Sequence, residues 1–206
     1  MSRLFNTEGS AAPTVECMSE KISTLLEMAA DRTLPVVRGI TDDHLTAPTP
    51  CSAYDVHALA DHLFQVLVNF QVLAAKGDTD FGAAPEHLEG AWRDRFADET
   101  VRLIAAWDAP GAEEGTTGAM GMPARTVGSM ALGDLTVHGW DLARATGQPY
   151  EPEPAVVEML RGDFGALATK ARAMGVFGEP VPVPEDTGPF EALLALTGRD
   201  PGWTRP

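Results

Sequence analysis

Apolar residues recur along most of the chain at steps of three and four, which is the period of an amphipathic helix. A first helix ending before Pro35 is predicted by the apolar positions Val15, Met18, Ile22, Leu25, Leu26 and Ala29. An extended linker follows, and a second helix has the clearest apolar stripe, made of Val56, Leu59, Leu63, Val66, Phe70 and Leu73. Ser52 and Asp55 precede this stripe with the spacing of a capping box. The pattern therefore predicts two long helices in the first third of the chain.

Three more helices are predicted over residues 85–107, 124–146 and 154–174, with Gly147 placed to end the fourth. Residues 108–123 are rich in small residues and predict a loop with room for a short hairpin. The pattern of residues 176–206 predicts an extended tail with one short helix at 190–196. This tail cannot form a core by itself, so we expect it to pack on the other helices. We therefore expect an all-α fold with a flexible N-terminus at 1–12, a helical-bundle domain at 13–175 and a C-terminal tail at 176–206.

Composition narrows the choice of partners and compartment. The 206 residues are 44% hydrophobic and 22% charged, as in an ordinary globular domain. A net charge of −15 with only 15 basic residues argues against nucleic acid and against anionic membrane surfaces, which both require clustered Lys and Arg. Two cysteines, no apolar leader and no membrane-length apolar run favour the cytoplasm.

The candidate chemistry lies on the second and fourth predicted helices. Asp134 and His138 are four residues apart, so their side chains leave the same helix face. They continue an apolar seam that should face the interior, and His62 lies at the margin of the second helix's stripe. Two imidazoles and one carboxylate form a ligand set for a divalent metal with open coordination positions. A solvated or ion-paired helix face is the alternative explanation of this spacing.

Three further residues are candidates for supporting roles. Asp141 lies three residues beyond His138, where it could accept the second ring N–H of a metal-bound imidazole. Arg144 could pair with Asp141, which we favour, or bind a substrate carboxylate. Asp141 and Arg144 are thus the candidate catalytic residues. Cys51 precedes a helix N-terminus that could activate a thiol, but a small buried cysteine is the commoner situation.

Four segments carry a resemblance to a known family: residues 49–57, 61–63, 134–147, which include HGWDLARATG, and 193–203. They resemble the DinB-like bacterial family that includes the N-terminal domain of mycothiol-dependent maleylpyruvate isomerase. The resemblance implies a four-helix bundle with an additional C-terminal helix and tail, and it implies His62, Asp134 and His138 as metal ligands. Tyr54 stands where the family usually has Trp, a change that we expect to affect packing.

The resemblance also implies a function. The leading hypothesis is a metal-dependent thiol S-transferase or isomerase that acts on a small electrophile with a low-molecular-weight thiol. The alternatives are a metal-dependent hydrolase or cyclase of secondary metabolism, and a non-catalytic module that binds metal or small molecules. Zinc is the first choice of metal, and nickel, iron or manganese accept the same ligands. Apolar aromatic residues at helix ends favour a homodimer without establishing one.

Overall fold

A computed structural model of the protein describes residues 20–82, 86–119 and 121–206. Its helices are α1 Ile22–Gly39, α2 Val56–Ala74, α3 Trp92–Asp108, α4 Ala124–Thr146, α5 Pro154–Ala173 and α6 Pro189–Leu196. The short antiparallel strands β1 (Thr116–Thr117) and β2 (Met122–Pro123) form a hairpin between α3 and α4. The prediction of an all-α, DinB-like bundle is confirmed, and so is the short hairpin.

The first four helices form the bundle. α4 packs against α1 and α2, and α3 packs against the same two helices, so the order around the core is α1, α4, α2, α3. The fifth helix lies on α4 and α1, and α6 lies on α5. Within the described part of the chain, no helix has both the length and the apolar character needed to span a membrane.

α4 is the central helix, and glycine residues allow its neighbours to approach closely. A Cβ atom on Gly133 would lie 2.0 Å from Phe164 of α5, and one on Gly139 would lie 2.5 Å from the hydroxyl oxygen of Thr33 on α1. That hydroxyl also donates a 3.0 Å hydrogen bond to the carbonyl of Leu135. Because α1 and α5 hold these faces of α4, Asp134 and His138 are left facing α2.

Several helix boundaries differ from the predictions. α1 continues through Pro35 to Gly39, because Pro35 is exposed while the next two residues, Val36 and Val37, are buried in the core. Packing of this last turn offsets the usual cost of an internal proline. The predicted residues Val15 and Met18, like the predicted flexible N-terminus at 1–12, lie outside the described residues.

The N-terminal cap of α2 is Asp55, not Ser52, since the Asp55 carboxylate accepts a 2.8 Å hydrogen bond from the Ala58 amide. α3 begins at Trp92, later than predicted, so Leu88 lies before it. Gly147 ends α4 with a φ of 71°, in the left-handed region that favours glycine, as predicted. These caps fix the length of the two helices that carry the candidate site.

The C-terminal residues pack on α4 and α5. Leu193 and Leu194 of α6 are buried, and Leu194 packs with Val137 and Trp140 of α4. The backbone amide of Val181 donates to the carbonyl of Ala195 at 3.0 Å, which ties the extended segment to the end of α6. The turn after α6 is thereby held against α4, next to the candidate site.

Candidate metal centre

The structure brings together the three residues proposed from the sequence as metal ligands. His62 comes from α2, and Asp134 and His138 come from consecutive turns of α4. One ligand atom from each lies within 4.8 Å of the other two. The Nε2 atom of His138 is 3.7 Å from Oδ1 of Asp134, too far for a hydrogen bond. The packing of α2 on α4 thus creates a cluster of three donor groups.

A hydrogen bond fixes the orientation of His138. Its Nδ1 atom lies 3.0 Å from Oδ2 of Asp141, and the Asp141 side chain is fully buried. An ionised carboxylate can only accept, so Nδ1 must carry the proton. The lone pair of Nε2 is then free on the side of Asp134 and His62. This is the tautomer that a metal ligand needs.

Arg199 completes this arrangement and was missed from the sequence. Its Nη2 and Nε atoms lie 3.2 and 3.4 Å from Oδ2 of Asp141, and Nη1 donates to the carbonyl of Thr197 at 3.1 Å. Both charged groups are buried, so each compensates the other. The buried Asp141 was a sign that a cation must lie nearby, but Arg199 is 58 residues away in the turn after α6.

The expected pairing of Arg144 with Asp141 is wrong. The Nε atom of Arg144 donates to the carbonyl of Trp203 at 3.2 Å, and its guanidinium lies 5.9 Å from the ring centre of Trp140. Asp141 points into the interior, whereas the long side chain of Arg144 reaches outward to the C-terminal tail. Arg144 is not among the described residues that line the cleft above the cluster. Its position gives no support to a role in binding substrate.

Tyr54 packs against His62, the candidate metal ligand on α2. Its ring stacks on the imidazole of His62 with a centroid separation of 5.3 Å and an interplanar angle of 13°. His62 in turn meets His138 edge to face, with ring centroids 5.3 Å apart. Tyr54 therefore limits the rotation of the His62 ring, which is a packing role.

Burial shifts the pKa of two groups at this site, His62 and Cys51. It lowers the pKa of His62, although the charge of Asp134 acts in the opposite direction, so the His62 ring is neutral at neutral pH and one of its two nitrogens offers a lone pair. Burial also raises the pKa of the Cys51 thiol, against the influence of Arg199. The sulfur of Cys51 lies within 4.8 Å of ligand atoms of His138 and Asp141, but as a neutral thiol it is a weak nucleophile.

The donor set fits a divalent cation. Two ligands bound at about 2.0–2.2 Å to one ion in tetrahedral geometry are about 3.4 Å apart, close to the 3.7 Å between His138 and Asp134. The remaining oxygen of Asp141, Oδ1, is buried and has no hydrogen-bond partner among the described residues. A cleft of about 680 Å³ opens above the cluster, a volume suited to a small molecule.

The fold and the donor cluster place this protein in the class of DinB-like helical bundles with a candidate metal centre between the second and fourth helices. Comparison with known families makes this specific: the family described as the mycothiol maleylpyruvate isomerase N-terminal domain matches residues 26–143. The chain belongs to this family. The matched segment contains His62, Asp134, His138 and Asp141, whereas Arg199 lies beyond it.

Two curated relatives come from two strains of Mycobacterium tuberculosis and are named uncharacterized protein MT0763 and uncharacterized protein Rv0738. Each is 30% identical to this chain over 181 residues, which cover 84% of this chain and 94% of the relative. No solved structure gives a significant match. The similarity thus extends beyond the family domain into the C-terminal part of the chain, without a named activity.

Proposed function

We propose that this protein is a metal-dependent enzyme that transfers a low-molecular-weight thiol to a small electrophile, or isomerises such an electrophile with the thiol's help. The observation that carries the proposal is the convergence of His62, Asp134 and His138 at the floor of an open cleft. The family's description, which names mycothiol and an isomerase, supports the thiol.

Each residue of the cluster has a defined task in this proposal. His62, Asp134 and His138 hold the divalent ion, for which zinc is the first choice. When bound, the ion supplies Lewis acidity and favours the thiolate form of a coordinated thiol. Asp141 keeps the proton of His138 on Nδ1, and Arg199 compensates the buried charge of Asp141.

The thiol of the reaction comes from a co-substrate in this proposal. Cys51 is near the cluster, but burial raises its pKa, so it remains a neutral thiol at neutral pH. A diffusible thiol that reaches the proposed ion would instead be favoured in its thiolate form by coordination. We place the protein in the cytoplasm, where small thiols are kept reduced.

The first test is elemental analysis of the purified wild-type protein, His62→Ala and His57→Ala. His57 is a matched control on the same helix, because its side chain is 40% exposed and lies near Glu86, away from the cluster. We expect about one metal ion per chain in the wild type and His57→Ala, and almost none in His62→Ala. Equal metal content in all three proteins, or no metal in any, would contradict the proposed centre.

The second test follows the loss of free thiol when the metal-loaded protein is mixed with mycothiol and a panel of small electrophiles. We expect consumption by the wild type and by His57→Ala, and none by His138→Ala. Turnover without any thiol would favour the hydrolase or cyclase. Stable metal binding with no turnover of any kind would instead support the non-catalytic binding module.

A further inference from the structure

The cleft above the donor cluster has two kinds of wall. Its polar floor is formed by His62, Asp134, His138 and Arg199. The remaining wall is largely apolar and includes Val66, Phe70, Phe81, Met130, Val176 and Phe177. A ligand that fills the cleft must therefore present a polar end to the floor and an apolar body to the wall.

Two smaller hollows extend the apolar side of the cleft. One, of about 80 Å³, lies between α4 and α5, and the other, of about 110 Å³, lies between α2, the hairpin and α4. Met130 lines the cleft and both hollows, one helical turn before Asp134. A molecule whose head lies at Asp134 therefore has Met130 and the hollows directly beside it.

The mouth of the cleft exposes apolar side chains. Among the described residues, five large hydrophobic side chains are exposed, and Phe81, Met174 and Val176 all belong to this cleft, at 56%, 54% and 53% exposure. Single exposed apolar residues are ordinary, but three around one opening are typical of a ligand site. Met130 and Met174 add adaptability, because the methionine side chain fits varied apolar shapes.

The charged groups near the apolar hollows are few. Asp134 and Lys170 are the only charged residues of the described chain that line the hollow between α4 and α5, and none lines the other. A sugar-like or multiply charged body would lose its hydration there without gaining hydrogen bonds. The polar floor and the apolar wall therefore select for a molecule with one polar end.

We propose that the electrophilic substrate of this cleft is a small molecule with a metal-binding polar head and an apolar alkyl or aryl tail. The tail lies over Met130 and enters the apolar hollows, while the head faces His62, Asp134 and His138. The position of the head rests on the metal centre proposed above. The tail contacts rest on the cleft alone and can be tested separately.

The test uses zinc-loaded protein and a series of straight-chain hydroxamic acids from acetohydroxamic to octanohydroxamic acid, with binding measured by calorimetry. We expect the affinity to rise roughly fourfold per methylene group until the hollows are filled. Val176→Ser should weaken this dependence on chain length, whereas Val101→Ser, which alters an exposed valine of α3 away from the cleft, should leave it unchanged. Equal affinity for the shortest and longest acids would overturn the proposal.

A second arm needs no metal. The fluorescent dye 1-N-phenylnaphthylamine should bind the metal-free protein and be displaced by n-alkanols in order of chain length, with weaker dye binding in Phe81→Ser and Val176→Ser than in Val101→Ser. If no hydroxamic acid binds because no metal is held, the metal centre fails while this arm still decides the tail site. Absence of dye binding, or equal binding by all three variants, would contradict the apolar tail.

Discussion

The Nδ1 atom of His138 and the Oδ2 atom of Asp141 lie 3.0 Å apart on one face of α4, and the carboxylate is fully buried. This contact decides which nitrogen of His138 carries the proton, and thus which nitrogen faces the donor cluster.

Replacing Asp141 with Asn should weaken metal binding about 10- to 100-fold. The amide of Asn can donate to Nδ1 and thereby favour the tautomer with the proton on Nε2, where the metal would bind. Competition with a chelator of known affinity measures the effect. Asp43→Asn, at an exposed residue of the 3₁₀ turn after α1, is the control. Affinities of Asp141→Asn and wild type within twofold would show that Asp141 does not set the tautomer.

Replacing Arg199 with Met should destabilise the fold by about 3–5 kcal/mol, because it leaves the buried Asp141 carboxylate without its cation. Urea unfolding measures this loss. Arg102→Met removes a pair on α3 between the exposed Arg102 and the half-buried Glu99, and it should cost less than about 1 kcal/mol. Adding Asp141→Asn to Arg199→Met should restore part of the stability. If the losses of unfolding free energy in the two single variants simply add in the double variant, the result would argue against the ion pair.

Replacing Tyr54 with Ala should weaken metal binding about two- to twelvefold, since the His62 ring loses the stacking partner that limits its rotation. Tyr54→Phe keeps the ring and should bind metal as the wild type does. Both affinities come from the same chelator competition. If Tyr54→Phe loses as much affinity as Tyr54→Ala, the hydroxyl group and not the stacking is responsible.

Replacing Gly139 with Ala should destabilise the protein by about 1–3 kcal/mol, because the added methyl group would lie 2.5 Å from the Thr33 hydroxyl oxygen. Gly162, in the exposed part of α5, has no described atom within 4 Å of an added Cβ. Gly162→Ala should therefore stabilise the protein by about 0.5–1 kcal/mol. Thermal unfolding compares the two variants. Changes in melting temperature of the same sign would refute the close approach of α1 and α4.

Alkylation of Cys51 should be slow at neutral pH and should accelerate as the pH rises beyond the ordinary thiol range, because burial raises the pKa of this thiol from 9.0. Because the pKa of Cys51 is higher in the folded protein than in the unfolded chain, its burial costs no stability well below pH 9. The folded state loses stability as the pH rises past 9. Iodoacetamide labelling in a Cys17→Ser background, followed by mass spectrometry across pH, measures this. A midpoint below pH 8 would instead indicate an activated thiol.

Much of the fold could be read from local patterns. The period of the apolar residues placed α4 at its observed bounds, and the left-handed position of Gly147 was predictable because glycine is favoured there. The end of α1 was not predictable from Pro35 alone, since the burial of Val36 and Val37 outweighs the local cost. The sequence pattern favours a cap of α2 at Ser52, three residues before the observed cap Asp55, because both are good capping residues.

Local sequence patterns establish the donor types and the four-residue spacing that puts Asp134 and His138 on one face of a helix, because these are properties of a single regular segment. The packed fold was needed to show that His62 meets them, that Arg199 and not Arg144 pairs with Asp141, and that Tyr54 stacks on His62. The reason is physical: these contacts join residues distant in sequence, and helix packing and tail position, which no local pattern encodes, bring them together. The same holds for the cleft, whose walls come from α2, α4, the segment before α2 and the segments that follow α2, α5 and α6.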